Sequence, residues 1–294
     1  MPKGHAGKVM SPRLLGLLLL ICAALLWSGN GVVVKGVEAP VFAIASIRAF
    51  FAAMAVGVLG RKSLALRLPA GNAWLLCAVL AALNSIVFIS ATKLTTAANA
   101  IMLQYTSPVW VALLAPWLIG EKTERADWIF IIVIFSGMGL FFLDSLTLSG
   151  ALGIGLSMSG GLIMACLTML IRHMAVPDKV SGVVCGNILL CAVFPFAWGE
   201  LAITGRDIAI LALAGVCFLG LPWFLYTVAS RHLTALEMVL ITTLEPICNP
   251  IWVYFIIGEK PGAWALAGGF VVLAGIVARS ALPALRQRVN SNSK

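Results

Sequence analysis

Glu245 is the residue whose type and position could carry the most chemistry, because it falls near the middle of an apolar stretch over 235–257. An acid at the centre of a membrane helix costs about 2.5–3.5 kcal/mol on insertion scales, so it faces a cavity or a partner rather than lipid. Such a carboxyl could pair with a bound ammonium group or exchange a proton. It could equally be a hydrogen-bonded structural acid beside a bent backbone, and the sequence weighs these readings evenly. Pro246 follows it directly, and Pro108 stands 138 positions upstream in a second apolar stretch. Each proline removes a helical hydrogen bond and should leave the carbonyls of Gln104 and Thr242 without their usual partners. Lipid does not satisfy such groups, so both bends should face the interior of a helix bundle. Gln104, Tyr105, Ser107, Thr242, Thr243 and Asn249 surround them and predict a polar belt at mid-membrane. Pro116 and Pro250 add a second break to each stretch.

Aromatic residues form a further layer. Trp27, Phe88, Tyr105, Trp110, Trp223 and Tyr226 lie away from the ends of their apolar stretches, whereas Trp74, Trp128, Trp198 and Trp264 sit near ends, as interfacial anchors do. The first group can line a cavity and hold an apolar or aromatic group, or a cation over a ring face. Packing is the competing role for any one of them. Arg48 is the basic residue clearly inside a stretch, and it reads as a structural group that bonds backbone carbonyls or snorkels to headgroups. Asn30 and Asn84 could line a pathway or link helices. The glycines between Gly150 and Gly161 read as a close-packing surface. The seven cysteines all lie inside apolar stretches without paired spacing, so they read as packing residues rather than disulfides or metal ligands. His5, His173 and His232 have no ligand spacing, and no cofactor motif is present.

The elements that must position these residues follow from composition. Hydrophobic residues make up 61% of the 294 positions and charged ones 11%, a balance that places the chain in a membrane. Stretches long enough for helices of about 20 residues fall near 13–35, 41–60, 73–92, 96–119, 127–143, 150–171, 181–199, 208–229, 235–257 and 262–282. The predicted class is therefore an all-α polytopic protein of ten transmembrane helices. Connections are short and punctuated by Pro40, Pro69, Pro177-Asp178 and Pro261-Gly262, which leaves no room for a soluble domain. With a cytoplasmic amino terminus, fifteen Lys and Arg fall in inner loops and tails against four in outer ones, so both termini are expected in the cytoplasm. The same asymmetry accounts for the net charge of +9 without nucleic acid. The basic run from Arg279 to Lys294 is expected at anionic headgroups, with 283–294 a cytoplasmic tail. The amino-terminal stretch runs on to Val34 without a small-residue cleavage site and reads as a retained first helix.

Gly120-Glu121-Lys122 recurs as Gly258-Glu259-Lys260 at the offset that separates the two prolines, and Thr96/Thr234, Ile119/Ile257, Val133/Val271 and Gly137/Gly275 keep it. The chain divides into repeats over 13–143 and 150–282. Five spans per repeat would make the second enter the membrane from the opposite side, giving an inverted pair around a central cavity. The residues Ala24-Leu25-Leu26-Trp27-Ser28-Gly29-Asn30 ending at Lys35, Arg48, the run Ala91 to Pro108, and Gly120-Glu121 resemble an EamA domain of the drug/metabolite transporter superfamily. Leu244-Glu245-Pro246, Gly258-Glu259 and Gly275 carry the same resemblance in the second half. In overall run the chain is similar to the YddG-type amino-acid exporters of bacterial inner membranes. The resemblance implies ten helices, a central cavity and export of small metabolites, with an acid-proline pair often recurring at Glu245-Pro246 and an arginine at Arg48.

The expected activity is thus secondary transport of small metabolites, foremost aromatic and other neutral amino acids, out of a bacterial cell by alternating access. The expected cavity residues are Trp27, Asn30, Asn84, Phe88, Gln104, Tyr105, Ser107, Pro108, Trp223, Tyr226, Thr243, Glu245, Pro246 and Asn249, with Glu245 the coupling candidate. Expected partners are the small-molecule substrate, membrane lipids and protons, with no nucleic acid, no cofactor and no metal, and the chain working as a monomer. No GxxxxGK[ST] phosphate loop occurs, which argues against a nucleotide-driven pump. A channel or passive facilitator, or an exporter of drugs or other metabolites, would share the fold. A membrane enzyme would need a cluster of titratable groups that the histidines do not form.

Overall fold

A computed structural model describes residues 10–29, 37, 39–62, 72–95, 97–141, 143, 150–192, 195, 203–257 and 262–292. The first repeat contains α1 (Pro12–Ser28), α2 (Val41–Leu59), α3 (Ala73–Leu94), α4 (Ala97–Gln104), α5 (Ser107–Leu118) and α6 (Arg125–Phe141). The second contains α7 (Ala151–His173), α8 (Val176–Cys191), α9 (Gly205–Leu213), a π-helical segment (Ala214–Gly220), α10 (Leu221–Ala229), α11 (Ala235–Thr242), α12 (Leu244–Ile257) and α13 (Ala263–Asn292). Among the described residues these make ten bundle-crossing units, because α4 joins α5, α9 runs through the π segment into α10, and α11 joins α12. Five stretches, Phe42–Leu59, Ile101–Leu118, Ala151–His173, Gly205–Ala229 and Ala263–Leu282, are individually long and apolar enough to cross a bilayer. The outward faces of the helices carry exposed large apolar side chains such as Phe50, Met54, Ile129, Ile132, Phe255 and Phe270, which suits contact with lipid.

Packing follows the two repeats. Helix α1 packs on α10 as α7 packs on α3, while α2 against α8 and α6 against α13 pair equivalent members of the two repeats. The closest approaches use glycine: a Cβ on Gly186 would lie 2.9 Å from the Ala81 methyl, and one on Gly137 2.9 Å from Val272. Within the glycine-rich α7, Gly153 and Gly161 meet backbone, while Gly155 meets nothing within 4 Å. Gly150 starts that helix with φ of 80°, a conformation in which other residues are strained. All seven cysteines are free.

Local sequence explains several helix starts. Ser11 accepts from the Leu14 amide and Pro12 opens α1. Thr204 with Asp207, and Thr234 with Glu237, form capping boxes that satisfy the first amides of α9 and α11. Three boundaries differ from the sequence expectation. Helix α8 begins at Val176, with Pro177 in its first turn, where the missing amide needs no partner. Helix α13 continues unbroken to Asn292, beyond the span expected to end at 282, so that 283–292 is helical. The fourth and ninth units are not bent helices but pairs of half-helices, broken at Tyr105–Thr106 and at Thr243. Pro108 therefore lies in the first turn of α5, where it interrupts no hydrogen bond, and Pro246 is the third residue of α12.

Candidate functional site: a polar belt at two broken helices

The two helix breaks occupy equivalent positions, since Tyr105 and Thr243 are 138 residues apart like the prolines that follow them. Between them runs the central polar contact: the Tyr105 hydroxyl donates to Glu245 Oε2 at 2.6 Å. One break supplies the donor, and the first turn of the half-helix after the other supplies the acceptor. The broken backbones are stabilised locally. Thr106 Oγ1 donates to the Leu103 carbonyl at 2.7 Å and Thr243 Oγ1 to the Leu240 carbonyl at 2.6 Å, capping carbonyls that a continuous helix would have paired. Gly161 of α7 lies against the first break, where a Cβ would sit 2.9 Å from the Gln104 carbonyl oxygen. Ser107, Pro108, Thr242 and Thr243 are buried there, and Pro246 is buried behind Glu245. Gln104 Nε2 reaches Asn84 Oδ1 at 3.4 Å, extending the belt to α3.

An aromatic group adjoins the belt. Trp27 of α1 meets Trp223 edge-on at a centroid distance of 5.3 Å and Tyr226 at 5.6 Å, and the latter two rings are also 5.6 Å apart. Tyr226 is fully buried and shares a 2.7 Å hydrogen bond with Thr168 of α7. Thr168 carries no sequence signal beyond being a hydroxyl in an apolar helix, which is why only tertiary structure reveals it. Trp223 keeps partial exposure. Phe88 and Asn84 sit on α3, and the ring contacts described for the aromatic group do not include Phe88. Trp110 Nε1 is enclosed without an acceptor. Asn30 and the second Gly-Glu-Lys triplet lie outside the described residues, as does the side chain of Asn249. Arg48 Nε is enclosed without a hydrogen-bond partner among the described residues.

One end of the bundle is tied across the repeats by ions. Arg13 Nη2 contacts Glu237 Oε1 at 2.7 Å, and its Nη1 donates to the Ser280 carbonyl at 3.0 Å. Arg279 Nε contacts Asp127 Oδ1 at 2.7 Å, and its Nη1 lies 3.8 Å from Glu237. Glu121, from the first Gly-Glu-Lys triplet, contacts Arg172 at 2.9 Å and accepts the Ala235 amide at 2.8 Å. Arg279 is thus a clasp residue and not a headgroup anchor. The readable signal for this cluster was the set of acids, Glu121, Asp127 and Glu237, beside the same loops that hold the basic residues. At the other end Trp252 Nε1 donates to Ser28 Oγ at 2.8 Å, and no ion pair occurs there among the described residues.

A two-repeat helical bundle with half-helices meeting at mid-depth defines the class of polytopic membrane transporters built on internal duplication. The sequence profile of the EamA-like transporter family matches residues 14–143 and again 151–280, so the chain belongs to that family. An uncharacterized transporter of Archaeoglobus fulgidus is 26% identical over 283 residues, spanning 88% of this chain and 95% of that protein. A protein of known crystal structure superposes with a TM-score of 0.77 at 16% identity, covering 90% of this chain and 96% of the other, a likeness of fold alone. The chain is therefore a multi-pass membrane transporter for a small molecule and not an enzyme.

Proposed function

We propose that this transporter is a secondary exporter of small metabolites, foremost aromatic and other neutral amino acids, in a bacterial inner membrane. The observation that carries the reading is the Tyr105–Glu245 contact joining two equivalent helix breaks, with the Trp27, Trp223 and Tyr226 rings beside it. Glu245 supplies a carboxylate for an ammonium group or a site for a proton, and the rings supply an apolar wall for a side chain. The cavity would be lined by these residues together with Asn84, Gln104, Ser107, Thr243, Asn30 and Asn249, and Phe88 at its edge. Repeats over 13–143 and 150–282 would rock about this belt, with the chain acting as a monomer. The charge asymmetry supports cytoplasmic termini, which makes the ion-paired end the inner one, and the clasp of Arg13, Glu237, Arg279 and Asp127 a lock on that end. Uptake by the purified protein in liposomes, screened across the amino acids with and without a pH gradient, tests substrate and coupling together. Absence of uptake or counterflow for every amino acid would overturn the reading, and flux without accelerated exchange would favour a passive channel.

A further inference from the structure

A cavity of about 500 Å³ opens at the ion-paired end, lined by Arg13, Arg172, Arg231, Arg279, His232, Glu124 and Glu237 among others. Its lining carries four arginines, Arg13, Arg172, Arg231 and Arg279, and two acids, Glu124 and Glu237. Glu237 is held by Arg13, Arg279 and the Thr234 amide, and Asp127 by Arg279. Glu121 lies 2.9 Å from Arg172 Nε, a close ionic approach in which Nε makes no hydrogen bond. Two further cations, Arg231 and Lys179, are outside the ion pairs found among the described residues. Arg231 is exposed on the turn between α10 and α11, beside His232. Lys179, in the first turn of α8, is 2% exposed, yet its ammonium has a neutral partner, donating to Ser230 Oγ at 2.8 Å. The charges that act on it, Arg172 and Arg231, have the same sign as its own. A buried ammonium with a single hydroxyl partner and two cationic neighbours is an expensive arrangement that an anion would relieve. Arg172, Lys179 and Arg231 come from three different elements, α7, α8 and the α10–α11 turn, so the tertiary fold assembles this concentration of positive charge.

We propose that this vestibule is an oxyanion-binding site, with Arg172 and Arg231, which line it, as its recognition groups and Lys179 adding positive charge from behind its wall. Arginine forks match carboxylate and phosphate oxygens, and a cleft lined by one sign of charge concentrates such ligands at its mouth. On the amino-acid reading above, on which this clause rests, the group it takes is the carboxylate of the cargo arriving from the inner side. A phosphate of a lipid headgroup has the same chemistry and is the other source.

The test is thermal unfolding of the purified chain in detergent at constant ionic strength, titrated with L-phenylalanine, phenethylamine, sodium phosphate or phosphatidylglycerol in mixed micelles. Arg231→Gln and Lys179→Met are compared with the parent. Arg231 lies on an exposed turn, so its variant keeps the test valid if the buried Lys179 variant fails to fold. Stabilisation by phenylalanine but not by phenethylamine, with the half-maximal concentration raised about tenfold in either variant, is the expected result. Stabilisation by phosphate or phosphatidylglycerol with the same dependence on the variants, and none by phenylalanine, leaves the oxyanion site standing and removes the amino acid as its ligand. No stabilisation by any oxyanion, or stabilisation unchanged in both variants, overturns the proposal.

Discussion

If the ion clasp locks the inner end, removing one of its members should raise the population open to that side, and structure ranks the members. The Arg13 side chain is 32% exposed and that of Glu237 9%, whereas Arg279 is 14% exposed and Asp127 5%. Solvent screens the first pair, so Arg13→Gln should shift the closed-to-open equilibrium by about 1 kcal/mol, roughly fivefold. Arg279→Gln leaves Asp127 without its partner and Glu237 with one cation, both in a largely dry environment that opening would hydrate. Breaking such a pair costs about 3 kcal/mol, on the order of a hundredfold in population. The assay is labelling of Thr243→Cys, in a background whose seven native cysteines are replaced, by an impermeant thiol reagent applied from the inner side. Thr243 is fully buried beside the helix break, so its labelling rate reports opening. Equal rates in all three proteins, or a larger effect from Arg13→Gln than from Arg279→Gln, would refute the reasoning.

Glu245→Gln should make uptake in liposomes independent of the pH gradient while leaving the protein folded; unchanged gradient dependence would remove Glu245 from coupling. Trp223→Ala takes away one wall of the aromatic group and should raise the half-saturating concentration of aromatic substrates about tenfold, with smaller effects on alanine-sized ones. Equal losses across substrates would assign Trp223 to packing. Gly161→Ala pushes a methyl to 2.9 Å from the Gln104 carbonyl oxygen and should cost about 1–3 kcal/mol, read as a lowered unfolding temperature, whereas Gly155→Ala, where nothing lies within 4 Å, should cost little.

Much of the fold was legible in the sequence because bilayer thickness and backbone hydrogen bonding leave few choices. Apolar stretches of helical length had to be helices, and Pro108 and Pro246 at a constant offset marked two copies of one unit. Proline alone did not say how the chain would respond to it. The expectation of bent helices missed that a helix can stop and restart, which places proline in a first turn and lets the Thr106 and Thr243 hydroxyls bond the Leu103 and Leu240 carbonyls. Glu245 stood out as an acid in an apolar run, and Trp27, Trp223 and Tyr226 as mid-span aromatics. The contacts of Trp27 with Trp223 and Tyr226, and the partners Tyr105 and Thr168, join residues 58 to 199 positions apart in sequence.

The sequence by itself determined that this chain spans a membrane, that it is duplicated, and where a buried charge must be accommodated, since hydropathy, repeat offset and residue type are local properties. Tertiary structure decided which partners meet. Glu245 faces the tyrosine of the other repeat, Arg279 turns from a headgroup anchor into part of an ion clasp, and Lys179 is buried on the Ser230 hydroxyl, within the field of two arginines. The physical reason is that pairing depends on the relative rotation and depth of helices, which hydrophobic patterning fixes only to a face and not to a neighbour.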